Sequence, residues 1–163
     1  MNKILLISTG GTFNKIYDPL KGTLPVDNNS RALAEIASKW LCEFDIMNII
    51  GKDSLEINSQ DRLELLATIN QSEYENIIVI HGTDTMELTA ENLADADLEK
   101  KIIITGAMVP YSIDPVEATA NLASAFGYLQ GLNDNGVYIV MHGLFGSYEK
   151  IKKDRRKGKF ILA

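Results

Sequence analysis

Small hydroxyl residues and glycines cluster in three segments of this 163-residue sequence, and these segments carry the residue types that nucleophilic chemistry uses. The segments are Ser8–Thr12 (STGGT), His81–Glu87 (HGTDTME) and Gly106–Pro110 (GAMVP). A threonine hydroxyl is a poor nucleophile unless a neighbouring group takes its proton. Thr12 and Thr83 are candidates for that role, with Asp84 adjacent and a desolvated lysine as a candidate base. The alternative is that each threonine only caps a helix or forms a turn.

A pair of glycines precedes Thr12 and permits a close backbone approach. Gly10 and Gly11 allow positive φ angles, so successive backbone N–H groups can point at an anion or a developing oxyanion. Nucleotide binding is a weaker interpretation, because neither G-x-G-x-x-G nor G-x-x-x-x-G-K-[ST] occurs in the sequence.

The elements that must position these residues follow from the apolar pattern. Five short runs rich in Ile and Val predict strands buried on both faces of a parallel sheet: Lys3–Ser8, Phe44–Ile50, Ile77–Ile80, Ile102–Thr105 and Val137–Met141. Stretches with helical spacing lie between them: Arg31–Cys42, Asp61–Glu73, Glu87–Asp95 and Pro115–Leu129. This alternation predicts a three-layer α/β sandwich around a mostly parallel, doubly wound, Rossmann-like sheet. Ligands bind beyond the carboxyl ends of such strands, where the three polar segments fall.

Composition limits the class of protein. At roughly 100–200 residues per domain the chain is one domain, and a formal charge of −6 with a pI near 4.9 argues against nucleic-acid binding.

No apolar stretch approaches a membrane span, and the single cysteine, Cys42, forms no internal disulfide, so we expect a cytoplasmic protein. Cys42 is expected to be a small buried hydrophobe on a helix face. No cluster of residues has metal-ligand spacing, so no metal is expected.

Two segments differ from the rest in charge or length. Residues 149–163 carry a net charge of +5 and the remainder carries −11. We interpret the basic tail as a solvated terminal segment, and docking of an acidic partner or phosphate is the alternative. Residues 14–30 form one long loop directly after the first strand. Such a loop is a candidate lid over a site, and a plain connection is the alternative.

Four segments together resemble the bacterial-type L-asparaginase/glutaminase family, in that family's order and at about its spacings. They are Thr9–Thr12, Ser59–Asp61, His81–Glu87 and Thr105–Met108. The resemblance covers residues 1–163 as the family's larger amino-terminal α/β domain, and we expect the smaller carboxy-terminal domain to be absent. It implies an amidohydrolase that releases aspartate and ammonia from L-asparagine, or cleaves a related small amide such as glutamine, without a cofactor.

The resemblance also implies roles for individual residues. Thr12 would attack the side-chain amide and form an acyl-enzyme. Thr83 and Asp84, together with a lysine, would position and deprotonate the attacking water or the nucleophile.

The binding of the amino-acid substrate is implied in the same way. Ser59 would hold the α-carboxylate, Gln60 would help to fix the amino-acid end, and Asp84 would pair with the α-ammonium. The Ala107 carbonyl would accept a hydrogen bond from the leaving amide.

Two further catalytic positions depend on how the chain is matched to the family. The lysine lies after the fifth strand and is favoured as Lys153, with Lys152 and Lys150 as alternatives. The family's loop tyrosine falls on Thr23, so Tyr17, earlier in the loop, is the candidate to supply that hydroxyl.

The two histidines are candidates for a general base by residue type alone. The resemblance implies a structural role for His81. His142 stands where the family commonly has asparagine, and we expect no direct chemistry from either side chain.

Two functions of different class remain open at this point. The first is a hydrolase acting on a small-molecule amide, assembled as a homodimer or homotetramer as in the family. The second is an amino-acid-binding module or subunit that has lost efficient catalysis or needs a partner chain to complete its site.

Overall fold

The computed structural model describes residues 3–163 and contains one six-stranded sheet, one two-stranded sheet and four α-helices. The strands are β1 (Ile4–Gly10), β2 (Asp45–Lys52), β3 (Asn76–Ile80), β4 (Lys101–Thr105), β5 (Gly136–Met141), β6 (Leu144–Ser147), β7 (Ile151–Asp154) and β8 (Lys159–Leu162). The helices are α1 (Arg31–Trp40), α2 (Ser59–Gln71), α3 (Met86–Asp95) and α4 (Pro115–Gly131). Within this part of the chain, no helix is both long and apolar enough to cross a membrane.

The six strands of the main sheet are ordered β2-β1-β3-β4-β5-β6. The first five are parallel, and β6 runs antiparallel to β5. The chain leaves β1 for β2 on one side and returns to β3 on the other, so the strand order reverses about β1. A reversal of this kind opens a crevice at the carboxyl ends of the neighbouring strands, as predicted for a doubly wound sheet.

Helices cover both faces of the sheet, which confirms the predicted three-layer sandwich. One face packs against α2 and α3, and the other packs against α1 and α4. Side chains of β1 and β3 alternate between the two cores, because successive residues of a strand point to opposite faces. Asp114 begins α4 as predicted: its Oδ1 accepts a hydrogen bond from the Val116 N–H at 3.0 Å, and Pro115 occupies the first turn.

The strand β2 differs from the prediction in both length and burial. It lies at the edge of the sheet and is partly exposed, whereas a strand buried on both faces was expected. It also continues past Ile50 to Lys52, so the residues that emerge at its carboxyl end are Asp53 and Ser54.

The first helix ends two residues before its predicted end. Leu41 adopts a left-handed conformation with a φ of 57° and terminates α1 at Trp40, which leaves the Leu41 side chain 96% exposed. Cys42 therefore lies beyond the helix and is only partly buried, packed against the core on the α1–α4 side.

The basic tail is folded, contrary to the prediction of a solvated terminal segment. Strands β7 and β8 form an antiparallel hairpin, and Ile151 and Phe160 bury their side chains in the core on the α2–α3 side. Most of the charged residues occupy the turn and the outward positions of this hairpin, whereas Lys153 lies on the same side as Ile151 and is only 11% exposed. Burial of two large apolar side chains stabilises this conformation.

The long loop after β1 also has structure of its own. Its central part, residues 15–26, is a hairpin-like arm with antiparallel bridges between Lys15 and Val26 and between Asp18 and Thr23. Backbone hydrogen bonds from Asp18 N to Thr23 O at 2.8 Å and from Gly22 N to Asp18 O at 2.8 Å close its tip.

Candidate active site

Glycines allow the turns at the carboxyl edge of the sheet to touch one another through their backbones. A β-carbon at Gly10 would lie 2.5 Å from the Lys52 carbonyl oxygen, and one at Gly11 would lie 2.6 Å from the Gly82 nitrogen. A β-carbon at Gly82 would in turn lie 2.5 Å from the Ser54 β-carbon. No side chain fits at such distances, and Gly10 and Gly11 also have positive φ angles of 109° and 73°. The turns after β1, β2 and β3 are therefore in direct contact.

Thr12 begins a short 3-10 turn directly after β1 and is half-buried. The turn is fixed by Asn14, whose Nδ2 donates to the Gly10 carbonyl at 2.8 Å and to the Ser8 hydroxyl at 3.0 Å. Within residues 3–163 the Thr12 hydroxyl makes no hydrogen bond, so it is available to a ligand at this edge.

Lys153 contacts the two candidate residues of the segment His81–Glu87, Thr83 and Asp84. Its Nζ donates to Thr83 Oγ1 and to Asp84 Oδ1, each at 2.8 Å, and its side chain is only 11% exposed. Its backbone N–H donates to Glu87 Oε1 at 2.8 Å, which ties β7 to the start of α3. The alternative Lys152 instead approaches Glu87 Oε2 at 3.6 Å. We call Lys153 and its two hydrogen-bond partners the Thr83–Asp84–Lys153 cluster.

Arg155 also contacts this cluster, and the sequence did not single it out. Its Nη1 donates to Asp84 Oδ1 and its Nη2 to the Asp84 carbonyl, both at 2.8 Å. The hydrogen bond from Lys153 and the charges of Lys153 and Arg155 hold the pKa of Asp84 below its usual value, against the opposing effect of burial. Arg155 lies in the turn directly after β7, and no local spacing in the sequence pairs it with Asp84.

Ser54 is a second residue that the sequence did not single out. It is buried at the end of β2, its Oγ accepts a hydrogen bond from the Asp84 N–H at 3.2 Å, and its carbonyl accepts one from Thr85 Oγ1 at 2.8 Å. The neighbouring Asp53 forms an ion pair with Lys15 at 2.7 Å. Burial alone would raise the pKa of Asp53, but the hydrogen bonds from Lys15 and from the Leu55 N–H lower it.

Ser59 and Gln60, the residues that the resemblance assigns to the substrate's carboxylate end, make no hydrogen bond to the cluster within residues 3–163. Both lie in the first turn of α2 with exposed side chains. That helix starts two residues earlier than predicted because Asn58 caps it: Asn58 Oδ1 accepts from the Asp61 N–H, and Asp61 Oδ2 accepts from the Asn58 N–H, each at 3.0 Å. Asp61 also pairs with Lys52 at 2.9 Å, so the segment is engaged in starting a helix.

Ala107 lies fully buried just after β4, within the polar segment Gly106–Pro110. The two residues that follow it, Met108 and Val109, both donate their backbone N–H groups to Glu117 Oε1. The Ala107 backbone is thereby anchored to the first turn of α4.

A family model described as "Asparaginase, N-terminal" matches residues 3–157 of the chain. The chain belongs to the asparaginase family. It is 32% identical over 161 residues to a glutamyl-tRNA(Gln) amidotransferase subunit of Methanococcus maripaludis, a match that covers 90% of this chain and 36% of that protein. It is 27% identical over 144 residues to an L-asparaginase of Thermococcus kodakarensis, covering 85% of this chain and 43% of that protein.

Solved structures of asparaginases share the fold. The thermostable L-asparaginase from Thermococcus kodakarensis superposes with a TM-score of 0.85 at 21% identity, over 98% of this chain and 51% of that chain. The chain thus spans about half of that asparaginase structure and less than half of the two sequence relatives.

Tyr17, the candidate to supply the hydroxyl of the family's loop tyrosine, makes no contact with the cluster through a hydrogen bond either. It lies on the arm with 62% of its side chain exposed. No hydrogen bond in the described part of the chain joins its hydroxyl to Thr12 or Thr83. Thr23 lies on the opposite side of the arm, bridged to Asp18.

His81 occupies a buried position beneath the cluster. Burial lowers its pKa to about 4, although the contact of Nδ1 with the Gly82 carbonyl at 2.7 Å opposes the shift. Its Nε2 lies 2.8 Å from the Thr89 hydroxyl, which also accepts a hydrogen bond from Arg62 Nε at 3.0 Å. Because the Gly82 carbonyl can only accept, the His81 proton is on Nδ1, and Nε2 accepts a hydrogen bond from the Thr89 hydroxyl. The imidazole is neutral at pH 7 and fully hydrogen-bonded within the protein.

The described residues offer no evident metal centre. Across residues 3–163, no group of three or more His, Cys, Asp or Glu side chains is arranged to hold a metal ion. The polar groups at the carboxyl edge of the sheet are hydroxyls, ion-paired carboxylates and cations, which suit an organic ligand with charged ends.

Proposed function

We propose that this protein is an amidohydrolase that cleaves the side-chain amide of L-asparagine, or a related small amide such as glutamine, through Thr12. The observation that supports this most directly is the pair of 2.8 Å hydrogen bonds from Lys153 Nζ to Thr83 and Asp84. The contact between Gly11 and Gly82 brings that cluster against the turn that begins with Thr12. The Thr12 hydroxyl, which makes no hydrogen bond within residues 3–163, therefore lies on a turn next to Thr83 and Lys153.

The proposed reaction has two steps. In the first, the Thr12 oxygen attacks the amide carbon, the C–N bond breaks, and the hydroxyl proton leaves with the nitrogen as ammonia. In the second, water attacks the resulting ester, the Thr12–acyl bond breaks, and Thr12 regains a proton as aspartate leaves. Thr83 and Lys153 act in this scheme as the hydrogen-bonded pair that positions the water, and Lys153 in its uncharged amine form takes the water's proton through the Thr83 hydroxyl.

The charged ends of the substrate find complementary groups at the same edge. We assign the α-carboxylate to the Ser54 hydroxyl, whose proton has no acceptor within residues 3–163 while its oxygen accepts from Asp84 N. We assign the α-ammonium to Asp84 Oδ2, because Oδ1 is already engaged by Lys153 and Arg155. The Ala107 carbonyl is the proposed acceptor for the scissile amide N–H.

The assembly and location are proposals as well. We propose a homodimer or homotetramer, which light scattering coupled to size-exclusion chromatography tests directly; a monomer at working concentration would contradict it. A cytoplasmic location stays a prediction.

The direct test is ammonia release from L-asparagine and L-glutamine by the wild type and by Thr12→Ala. Loss of a nucleophile removes at least about 1,000-fold of the rate, because only binding and electrostatic stabilisation remain. Thr68→Ala is a matched control, since Thr68 lies on the outer side of α2 and bonds only to the Glu64 carbonyl. Equal, non-zero rates in wild type and Thr12→Ala would remove Thr12 from the mechanism.

A binding module or partner-dependent subunit is the second candidate function. It is favoured by the similarity to a relative that is named as one part of an amidotransferase. Calorimetric titration with L-aspartate distinguishes the two candidates. Binding without ammonia release from either amide would support the module.

A further inference from the structure

The carboxylate of Glu117 contacts the turns after β4 and β5, next to the proposed site. Its Oε1 accepts hydrogen bonds from the backbone N–H groups of Met108 and Val109, the second at 3.2 Å. Its Oε2 lies 3.1 Å from His142 Nε2, and both side chains are largely buried. Neither Glu117 nor His142 has a part in the reaction scheme above.

The bond to Met108 fixes the direction of the Ala107 carbonyl. The Ala107 C=O and the Met108 N–H belong to the same peptide group, which is trans, so the two bonds point in opposite directions. With the N–H held by Glu117, the carbonyl points away from the Glu117 carboxylate. Asn121 holds the preceding peptide, because its Nδ2 donates to the Gly106 carbonyl at 2.8 Å.

His142 holds Glu117 in turn, in a single tautomer. Its Nδ1 accepts a hydrogen bond from the Phe160 N–H at 3.2 Å, so its proton is on Nε2 and faces the Glu117 carboxylate. The His142 backbone N–H donates to Asn121 Oδ1 at 3.0 Å. Phe160 is the direct cross-strand partner of Lys153 in the β7–β8 hairpin. One chain of contacts therefore connects the Ala107 peptide with the strand that carries the lysine.

We propose that Glu117, held by His142, is a positioning residue that orients the Ala107 carbonyl to accept a hydrogen bond from the N–H of the scissile amide. The inference rests on the proposed function. It makes a chemical distinction, because an amide leaving group has an N–H to donate and an ester leaving group has none. Glu117 should therefore influence amide cleavage and leave ester cleavage by the same nucleophile unchanged.

The experiment compares L-asparagine with the β-methyl ester of L-aspartate, following ammonia and methanol release respectively. Glu117→Ala is expected to lower kcat on the amide about 10- to 100-fold, since a misdirected contact to a reacting group costs rate of this order. Its kcat on the ester is expected to stay within about 2-fold of wild type, because no transition-state contact is lost there. Glu117→Gln retains an oxygen for Met108 and Val109, so it should restore most of the amide rate.

Two further variants keep the test decisive if Glu117→Ala fails to fold. His142→Ala removes the contact to Oε2 and the acceptor of the Phe160 N–H but leaves Glu117 in place, and it should lower the ratio of amide to ester rate by about 3- to 10-fold. Glu91→Ala, an exposed glutamate on α3, is the matched control and should change neither rate.

The outcomes separate this inference from the proposed function. Equal losses on both substrates, or no loss on either, would overturn the positioning role while leaving the Thr12 reaction intact. Wild-type protein that cleaves neither substrate would overturn the proposed function and this inference with it.

Discussion

The Thr83–Asp84–Lys153 cluster and the arm of residues 15–26 both face the carboxyl edge of the sheet, but they are held in different ways. Every polar member of the cluster is hydrogen-bonded to another strand or turn, and its lysine is nearly buried. The arm is attached at its base by Lys15, through an ion pair to Asp53 and a hydrogen bond from Ser112, and its tip is exposed. The cluster is thus fixed by contacts between strands and turns, whereas the tip of the arm is exposed to solvent.

Replacement of Lys153 tests the fixed region and carries the largest expected effect. Lys153→Met removes both hydrogen bonds of Nζ, so amide hydrolysis should fall about 100- to 10,000-fold, the range of a lost proton-transfer group. The measurement is steady-state ammonia release. Lys152→Met is the matched control and should retain activity, because that side chain only approaches Glu87. A larger loss in Lys152→Met than in Lys153→Met would exchange their roles.

The buried support of the cluster should appear in the pH dependence of stability. His81 has a pKa of about 4 in the folded protein and an ordinary value of 6.5, so between these limits the unfolded chain binds more protons. The free energy of unfolding should therefore be fully retained above pH 6.5 and fall by about 3 kcal/mol as pH decreases to 4.

Urea unfolding from pH 7.5 to 4 measures this slope. His81→Gln should flatten it. A wild-type free energy of unfolding that does not change over this range would contradict the buried neutral imidazole.

The two serines near β2 distinguish the carboxylate contact proposed for Ser54 from the one that the resemblance implies for Ser59. Ser54→Ala should raise KM for L-asparagine about 10- to 100-fold, because a hydrogen bond to a charged group contributes about 1.5–3 kcal/mol. Ser59→Ala should leave KM unchanged, since its side chain is exposed on α2. The reverse pattern in steady-state kinetics would restore the role first assigned to Ser59.

Replacement of Tyr17 carries the smallest expected effect and tests the conformation of the arm. If the arm keeps the observed conformation when substrate binds, Tyr17→Phe should change kcat by less than about 3-fold, because the hydroxyl contacts no reacting group. A loss of 10-fold or more in kcat would show that the arm closes and delivers the hydroxyl to Thr12.

The central strands and α4 could be predicted closely from the sequence. β3, β4 and β5 each begin one residue before the predicted run and end where it ends, because continuous Ile and Val runs between polar residues leave little choice of register. Asp114 and Pro115 marked the start of α4 for an equally local reason.

The errors arose where contacts distant in sequence decide the outcome. The end of β2 moved past a glycine to Lys52, which brought Ser54 to the site and left Ser59 to start a helix. The tail forms a hairpin because Ile151 and Phe160 are buried against the sheet. Arg155 reaches Asp84 across 71 positions, a pairing that no local spacing encodes.

The central claim is that Thr12 forms a covalent acyl intermediate beside the Thr83–Asp84–Lys153 cluster. Wild type and Lys153→Met would be quenched during turnover of L-asparagine and mapped by peptide mass spectrometry. We predict one aspartyl ester on Thr12, enriched in Lys153→Met because the water step is slowed. Ammonia release with no adduct, or an ester on Thr83 in place of Thr12, would contradict the account.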